Sequence, residues 1–355
     1  MKVLVTGASG FLGGHLAQQA LRDGHEVRVL VRRGNDVLHL LEQPGIDFVH
    51  GDLLDPSSLR RAVAGVDAVH HSAARVVEYG TRAQFRDANV VGTANLISAA
   101  RAAGVPRFVF VSSPSALMQR GEGDRLGIDE STPYPTRYYN LYSATKAEAE
   151  RHVLASNAPG FTTVSLRPRG IWGPRDYSGF LPRLLVKMAE GKLPDLFGDH
   201  RPLASMCHCA NAVRACLLAA EAPAERVGGR AYFVTDREQT DVGEFLDGLA
   251  MLFGVRPPTR MVDPRLAAAL AEVVELVWKL PPLAARREPP LSRYALTLFT
   301  QSTTYDITAA ERDLGYRPAV DQGSGLHELR AWADSLGGVS AYLDAVRSRL
   351  GTRRR

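Results

Sequence analysis

The chain begins with an apolar run, Val3 to Val5, that leads directly into Gly7-Ala8-Ser9-Gly10-Phe11-Leu12-Gly13. A helical apolar pattern starts at once with Phe11, Leu12, Leu16, Ala20 and Leu21. Strand, glycine turn and helix in this order constrain the fold more than any other stretch, because they are the context of a dinucleotide motif. The glycines let the backbone approach a pyrophosphate, whose charge meets the N–H groups and dipole of the helix start. A bare strand-to-helix turn needs fewer than three spaced glycines. Gly7, Gly10 and Gly13, with Ser9, Phe11 and Leu12 between them, are therefore the expected dinucleotide contacts.

Strand and helix patterns then alternate to about residue 170. Apolar strands are expected near 26–31, 46–50, 67–70, 107–111 and 161–166, with helices near 11–23, 56–64, 81–103 and 138–156. Such alternation predicts an α/β fold, a Rossmann-type doubly wound parallel sheet covered on both faces, over residues 1–170. Prolines and glycines then cluster at Pro168–Pro182, Gly191–Pro202 and Pro257–Pro264. This change predicts a smaller, mainly helical substrate-binding lobe over 171–355, some of whose elements return to the sheet. The stretch from Arg265 to Leu280 reads as an apolar helix interrupted by Glu272, Glu275 and Lys279. Packing against a core explains most helices of that kind, and a surface-lying membrane contact is the other reading.

Tyr142-Ser143-Ala144-Thr145-Lys146 places a phenol and an ammonium one above the other on a helical face. A cation there is expected to favour ionisation of the phenol, whose free pKa is about 10. That is how a tyrosine could exchange protons at neutral pH, as a carbonyl/alcohol redox enzyme requires.

At 355 residues, 45% hydrophobic, the chain can bury a large core. The net charge of +5 comes from scattered arginine pairs, Arg32-Arg33, Arg60-Arg61 and Arg286-Arg287, and a cluster at Arg353 to Arg355. No basic stripe is interleaved with aromatics, so nucleic acid is not an expected partner. The arginine tail reads as a solvated end, with weak attraction to an anionic membrane as the minority reading. Three cysteines do not make a disulfide framework and fit a reducing compartment. With no signal peptide and no spanning apolar run, a cytoplasmic location is expected. Cys207-His208-Cys209 invites a metal reading, but on a strand the histidine faces away from the cysteines and no second ligand pair follows. No metal is expected.

With the glycine turn and the Tyr142/Lys146 pair together, the chain resembles the extended short-chain dehydrogenase/reductase family. The likeness sharpens at Ser112-Ser113-Pro114-Ser115-Ala116, at YSATKAEAE from Tyr142 to Glu150, and at LRPRGIWGPRD from Leu166 to Asp176. These segments resemble the branch of 3β-hydroxysteroid dehydrogenases, sterol-4α-carboxylate dehydrogenases and bacterial 2-alkyl-3-oxoalkanoate reductases. The resemblance implies that Ser113 hydrogen-bonds the substrate oxygen, with Ser112 and Ser115 as plain turn serines. It implies that Tyr142 is the acid in reduction and the base in oxidation, and that Lys146 holds the nicotinamide ribose. Asn89, in Asn89-Val90-Val91-Gly92-Thr93, would order the proton path or the helix bend, or else face solvent. Ala73 and Ala74 would let the backbone pass the cofactor, with His71 a packing or hydrogen-bonding residue. Asp52 and Leu53 would meet the adenine, and the loop containing Pro168 and Ile171 the nicotinamide amide. Trp172, Tyr177 and Phe180 read equally as pocket walls or core. Asn211 stands where the family often has an aspartate pair.

Strand two ends Val29-Leu30-Val31-Arg32-Arg33, with no carboxylate where an NAD enzyme presents one to the ribose. A planar guanidinium at Arg32 suits a 2′-phosphate, so NADP(H) is favoured and NAD(H) stays open. The expected activity is hydroxyl/ketone interconversion on a small apolar molecule, a sterol or a long-chain 3-oxo acid. Two rivals are a nucleotide-sugar epimerase or dehydratase on the same fold and a non-catalytic dinucleotide-sensing regulator. A homodimer is implied by analogy alone.

Overall fold

The computed structural model describes residues 1–352 apart from 42, 78, 120, 197–199, 279–282, 284–288 and 290. Arg286-Arg287 and Arg353 to Arg355, read above from sequence, lie outside the described residues.

The strands in chain order are β1 (Lys2–Thr6), β2 (Glu26–Val31), β3 (Ile46–His50), β4 (Ala68–His71), β5 (Arg107–Val111), β6 (Arg125–Ile128), β7 (Thr162–Pro168), β8 (Ile171–Trp172), β9 (Leu203–Ser205), β10 (Cys207–His208), β11 (Arg230–Val234), β12 (Gln239–Asp241) and β13 (Thr303–Tyr305). Seven of them form one parallel sheet in the order β11-β7-β5-β4-β1-β2-β3. Its strands are apolar runs because both faces are covered, as parallel sheets require. Val3, Val5, Val29, Val109 and Val164 pack beneath helices Phe11–Arg22 and Cys209–Glu221. Leu4, Leu30, Val69, Phe108 and Phe110 pack on the other face, under helices Pro56–Val63, Gly92–Ala102 and Leu141–Ala155. The strand order reverses between β1 and β4, and such a switch point opens a crevice at the carboxyl ends of the strands.

Helix Cys209–Glu221 and β11 come from beyond residue 170, yet both complete this layered unit. The remaining C-terminal elements build a second core from Trp172, Leu185, Phe245, Leu249, Leu329 and Tyr342. Trp172 is fully buried there, with its indole N–H donating to Asp236, so it is core and not a pocket wall. A small sheet in the order β12-β9-β13-β6 joins this part to the loop after β5.

Two expectations are corrected. The continuous helix expected over 81–103 is a helix Arg82–Arg86, a π-turn Asp87–Val91 and a helix Gly92–Ala102. Helix Pro264–Trp278 is inverted: it buries Ala267 and Ala271, while Leu266, Leu270, Val273 and Leu276 are 57–68% exposed. Packing against a core therefore does not account for its large apolar residues. Among the described residues, no helix is long and apolar enough to cross a membrane.

Candidate functional site

The crevice begins at the turn after β1. Gly7 holds φ +75°, and a Cβ there would lie 2.7 Å from the Ala73 nitrogen. At Gly13 a Cβ would lie 2.4 Å from the Gly7 carbonyl oxygen. The turn is thus drawn tight against both its helix and the loop after β4, which is why small residues recur at 73 and 74. Gly10 caps helix Phe11–Arg22 without a side-chain bond, leaving first-turn N–H groups directed at the crevice. This cradle fits a pyrophosphate. Leu12 points into the core, so it could meet a ligand through its backbone alone. The Ser9 hydroxyl accepts from Asn35 at 3.0 Å, tying the glycine turn to the loop after β2. Arg32 and Arg33 open that loop and share a groove of about 390 Å³ with His50, Gly51, Asp52, Asp55 and Arg61. Asp52 turns one oxygen to the Leu54 N–H at 2.9 Å, and Leu53 packs over Gly92.

Ser113 ends the β5 segment and caps the short turn Pro114–Leu117. Its oxygen accepts from the Ser115 N–H at 3.2 Å and lies 3.0 Å from the Ser115 hydroxyl. Ser115, read from sequence as a turn serine, is thus a direct partner of Ser113. Tyr142 lies in the first turn of helix Leu141–Ala155, whose cap Asn140 accepts from Ser143 at 2.9 Å. The Ser113 hydroxyl lies near enough to the Tyr142 phenol to draw its pKa down, against the larger effect of burial. Serine and tyrosine therefore meet at one point of the crevice.

Lys146 departs from expectation. Its ammonium donates to the Val111 carbonyl and lies 4.0 Å from the centre of the Phe110 ring. Burial lowers its pKa to about 7, against a raising influence from Glu150. The phenol of Tyr142 is not lowered: burial pushes it up to about 12, opposed by Ser113. Desolvation governs the phenol, while the Lys146 ammonium is engaged by the Val111 carbonyl.

Asn89 is buried inside the π-turn, not on solvent. Its amide nitrogen donates to Thr145 Oγ1 at 3.0 Å, between Tyr142 and Lys146 on the helix. His71 is held between Thr6 Oγ1 at 2.7 Å and Thr93 Oγ1 at 2.9 Å, and burial lowers its pKa to about 3. It is a neutral hydrogen-bonding residue. The Asn89 side chain also accepts from the Arg75 N–H at 2.7 Å, and nothing in the spacing of Thr145 or Arg75 marks either as part of this arrangement. Pro168 ends β7, level with Val234, and Ile171 pairs with Cys207, so the loop between them is pinned at both ends.

Cys209 begins a helix and does not continue the strand of Cys207 and His208. All three are buried, and among the described residues no group of three His, Cys, Asp or Glu is gathered for a metal. Asn211 is a core residue: it donates to Asp236 and the Val320 carbonyl and accepts from Ala319 and Val320.

Residues 3–235 match the model of the NAD dependent epimerase/dehydratase family. A 2-alkyl-3-oxoalkanoate reductase of Stenotrophomonas maltophilia is 37% identical, over 93% of this chain and 99% of that one. A 3-beta-hydroxysteroid dehydrogenase of Mycolicibacterium neoaurum is 34% identical, over 89% of this chain and 87% of that one. Among solved structures, MoeE5 in complex with UDP-glucuronic acid and NAD superposes with a TM-score of 0.71 at 26% identity, over 94% of this chain and 99% of that one.

Proposed function

Because the chain belongs to the NAD dependent epimerase/dehydratase family, we propose that it interconverts a hydroxyl and a ketone by hydride transfer on an apolar substrate, a 3β-hydroxysteroid or sterol or a long-chain 3-oxo acid. The observation that carries this reading is the placing of Ser113, at the end of the β5 segment, beside Tyr142 in the first turn of helix Leu141–Ala155, with Lys146 one helical turn further on. A bound dinucleotide would supply or accept the hydride at its nicotinamide. Gly7, Gly10 and Gly13 would hold its pyrophosphate, Arg32 its 2′-phosphate in NADP(H), Asp52 and Leu53 its adenine, and Pro168 and Ile171 its amide end. Ser113 would fix the substrate oxygen and Tyr142 would pass a proton to it in reduction. A phenol held near pKa 12 is fully protonated at neutral pH and ready to act as that acid. Asn89 would hold the helix in register through Thr145.

The reductases and dehydrogenases among the relatives favour this reading over a nucleotide-sugar epimerase, and the presence of both Tyr142 and Lys146 speaks against a sensing regulator. The exposed stripe Leu266, Leu270, Val273 and Leu276 supports a peripheral membrane contact beside the second lobe. Three buried free thiols suit a cytoplasmic enzyme.

The test is a panel of ketosteroids, long-chain 3-oxo acids and nucleotide sugars, read by loss of NADPH, with Tyr142→Phe as control. Turnover of ketosteroids or 3-oxo acids that disappears in the variant is the expected result. Turnover confined to nucleotide sugars would overturn the substrate class, and turnover retained in Tyr142→Phe would remove the proposed acid.

A further inference from the structure

Ser115 places a second, buried hydroxyl against the one that would hold the substrate. Pro114 follows Ser113 and brings no N–H, so the first backbone donor to reach back to Ser113 Oγ is that of Ser115, at 3.2 Å. The turn Pro114–Leu117 is fixed by two further bonds: the Ala116 N–H donates to the Ser113 carbonyl at 3.1 Å and the Met118 N–H to the Ser115 carbonyl at 3.3 Å. Leu117 anchors it in a small core with Ile128 and Phe233. Ser115 is 2% exposed, and its hydroxyl oxygen lies 3.0 Å from that of Ser113.

Either hydroxyl can donate across that contact, and the supply of hydrogens decides which one does. Each has one hydrogen and two lone pairs. Among the described residues the Ser115 hydroxyl has no side-chain partner other than Ser113 Oγ. Were Ser113 the donor, the Ser115 hydrogen would be buried without an acceptor, and an unused lone pair is the lesser loss. Ser113 itself is only partly buried, beside Tyr142, where water or a substrate can take its hydrogen. Its two lone pairs are then filled, one by the Ser115 N–H and one by the Ser115 O–H. We propose that Ser115 is a positioning residue that, by filling the remaining lone pair of Ser113, turns the Ser113 hydrogen onto the substrate oxygen. This deepens the proposed function and rests on it. A ketone oxygen only accepts, so a serine that can only donate suits it. As hydride reaches the carbonyl carbon, the C=O pair moves onto oxygen and the Tyr142 proton completes the alcohol. Ser113 keeps its hydrogen throughout and meets the growing charge with a donor that needs no reorientation.

The experiment follows reduction of a 3-ketosteroid and of a long-chain 3-oxo acid by NADPH in the wild type, Ser115→Ala, Ser115→Thr, Ser113→Ala and the double variant Ser113→Ala/Ser115→Ala. NADPH binding reports whether each variant is folded. Ser115→Ala keeps the backbone N–H and should lower kcat about tenfold with KM and NADPH affinity nearly unchanged. Ser115→Thr restores the hydroxyl and should recover most of that loss. In the Ser113→Ala background the second substitution should cost nothing more, because Ser115 acts only through Ser113. Should Ser115→Ala fail to fold, Ser115→Cys, with its weak donor, decides by the same kcat. A kcat within twofold of the wild type in the folded Ser115 variant, an additive loss in the double variant, or equal losses in Ser115→Ala and Ser115→Thr would overturn the role of Ser115 and leave the oxidoreductase reading standing. Absence of turnover of both ketones by the wild type with either nucleotide would bring down that reading and the positioning role with it.

Discussion

The side-chain amide of Asn89 holds the Arg75 peptide from both sides, accepting from its N–H at 2.7 Å and donating to its carbonyl at 3.3 Å. The same nitrogen reaches Thr145, so one buried amide ties the loop after β4 to the helix that carries Tyr142. The extra residue of the π-turn Asp87–Val91 surrounds Asn89 in the chain, and π-turns of this kind recur at functional sites. Replacing Asn89 by Ala should lower kcat by roughly tenfold or more and cost about 1–3 kcal/mol of stability, since the Arg75 peptide loses its partner. Asn89→Asp still accepts from Arg75 but cannot donate to Thr145, and should fall between. Steady-state kinetics with thermal unfolding separate the two effects, and an unchanged kcat in Asn89→Ala would show the amide to be structural.

Lys146, not Tyr142, should set the alkaline limb of ketone reduction. Its pKa is lowered to about 7, so the ammonium is lost as pH rises through neutrality, while the phenol near 12 keeps its proton. A kcat profile declining from about pH 7 is expected. A flat profile to pH 9 would mean that the ammonium stays charged during turnover.

His70 lies in the sheet core with both ring nitrogens unpaired, and burial lowers its pKa to about 4. The unfolded chain binds this proton below about pH 6.5, and the folded chain does not until about pH 4. Stability is therefore complete above pH 6.5 and falls as pH drops between those values, by about 3 kcal/mol for this ring. His71 acts in the same direction. His70→Leu should raise the Tm at pH 7 and flatten its acid limb, as measured by calorimetry at pH 5 and pH 7.

Glu150 accepts from Arg167, from Ser165 at 2.7 Å and from Tyr134 at 2.6 Å, entirely buried. Glu150→Gln should cost about 3–5 kcal/mol because it strands a buried guanidinium. Adding Arg167→Met should restore much of that loss in a denaturant titration. An additive loss would show that the two side chains do not act as a pair.

Arg32→Ala should weaken NADPH binding roughly tenfold and leave NADH nearly unchanged, followed by fluorescence titration. Equal or tighter NADH binding by the wild type would defeat the assignment of NADP(H).

Sequence legibility tracked what is local. The runs that became β1, β2, β3 and β5 could be placed closely because a strand buried on both faces writes itself as consecutive apolar residues. The Gly7 turn was equally plain, since its φ of +75° and its contact with Ala73 exclude a side chain. What sequence hid depends on distant packing. Lys146 turns to Val111 because that carbonyl lies beside it, and Trp172 enters a core whose residues run from Leu181 as far as Val346. The inverted helix Pro264–Trp278 has a periodicity that states which residues share a face, not which face is inward.

The seventh strand has a consequence for synthesis. β7 is buried along its whole length, and β11, which covers its outer edge, is translated more than 60 residues later. A nascent chain ending near residue 170 would present a bare, apolar hydrogen-bonding edge to its neighbours. The N-terminal unit should therefore aggregate when expressed by itself, and chaperone dependence should end once residue 234 has left the ribosome.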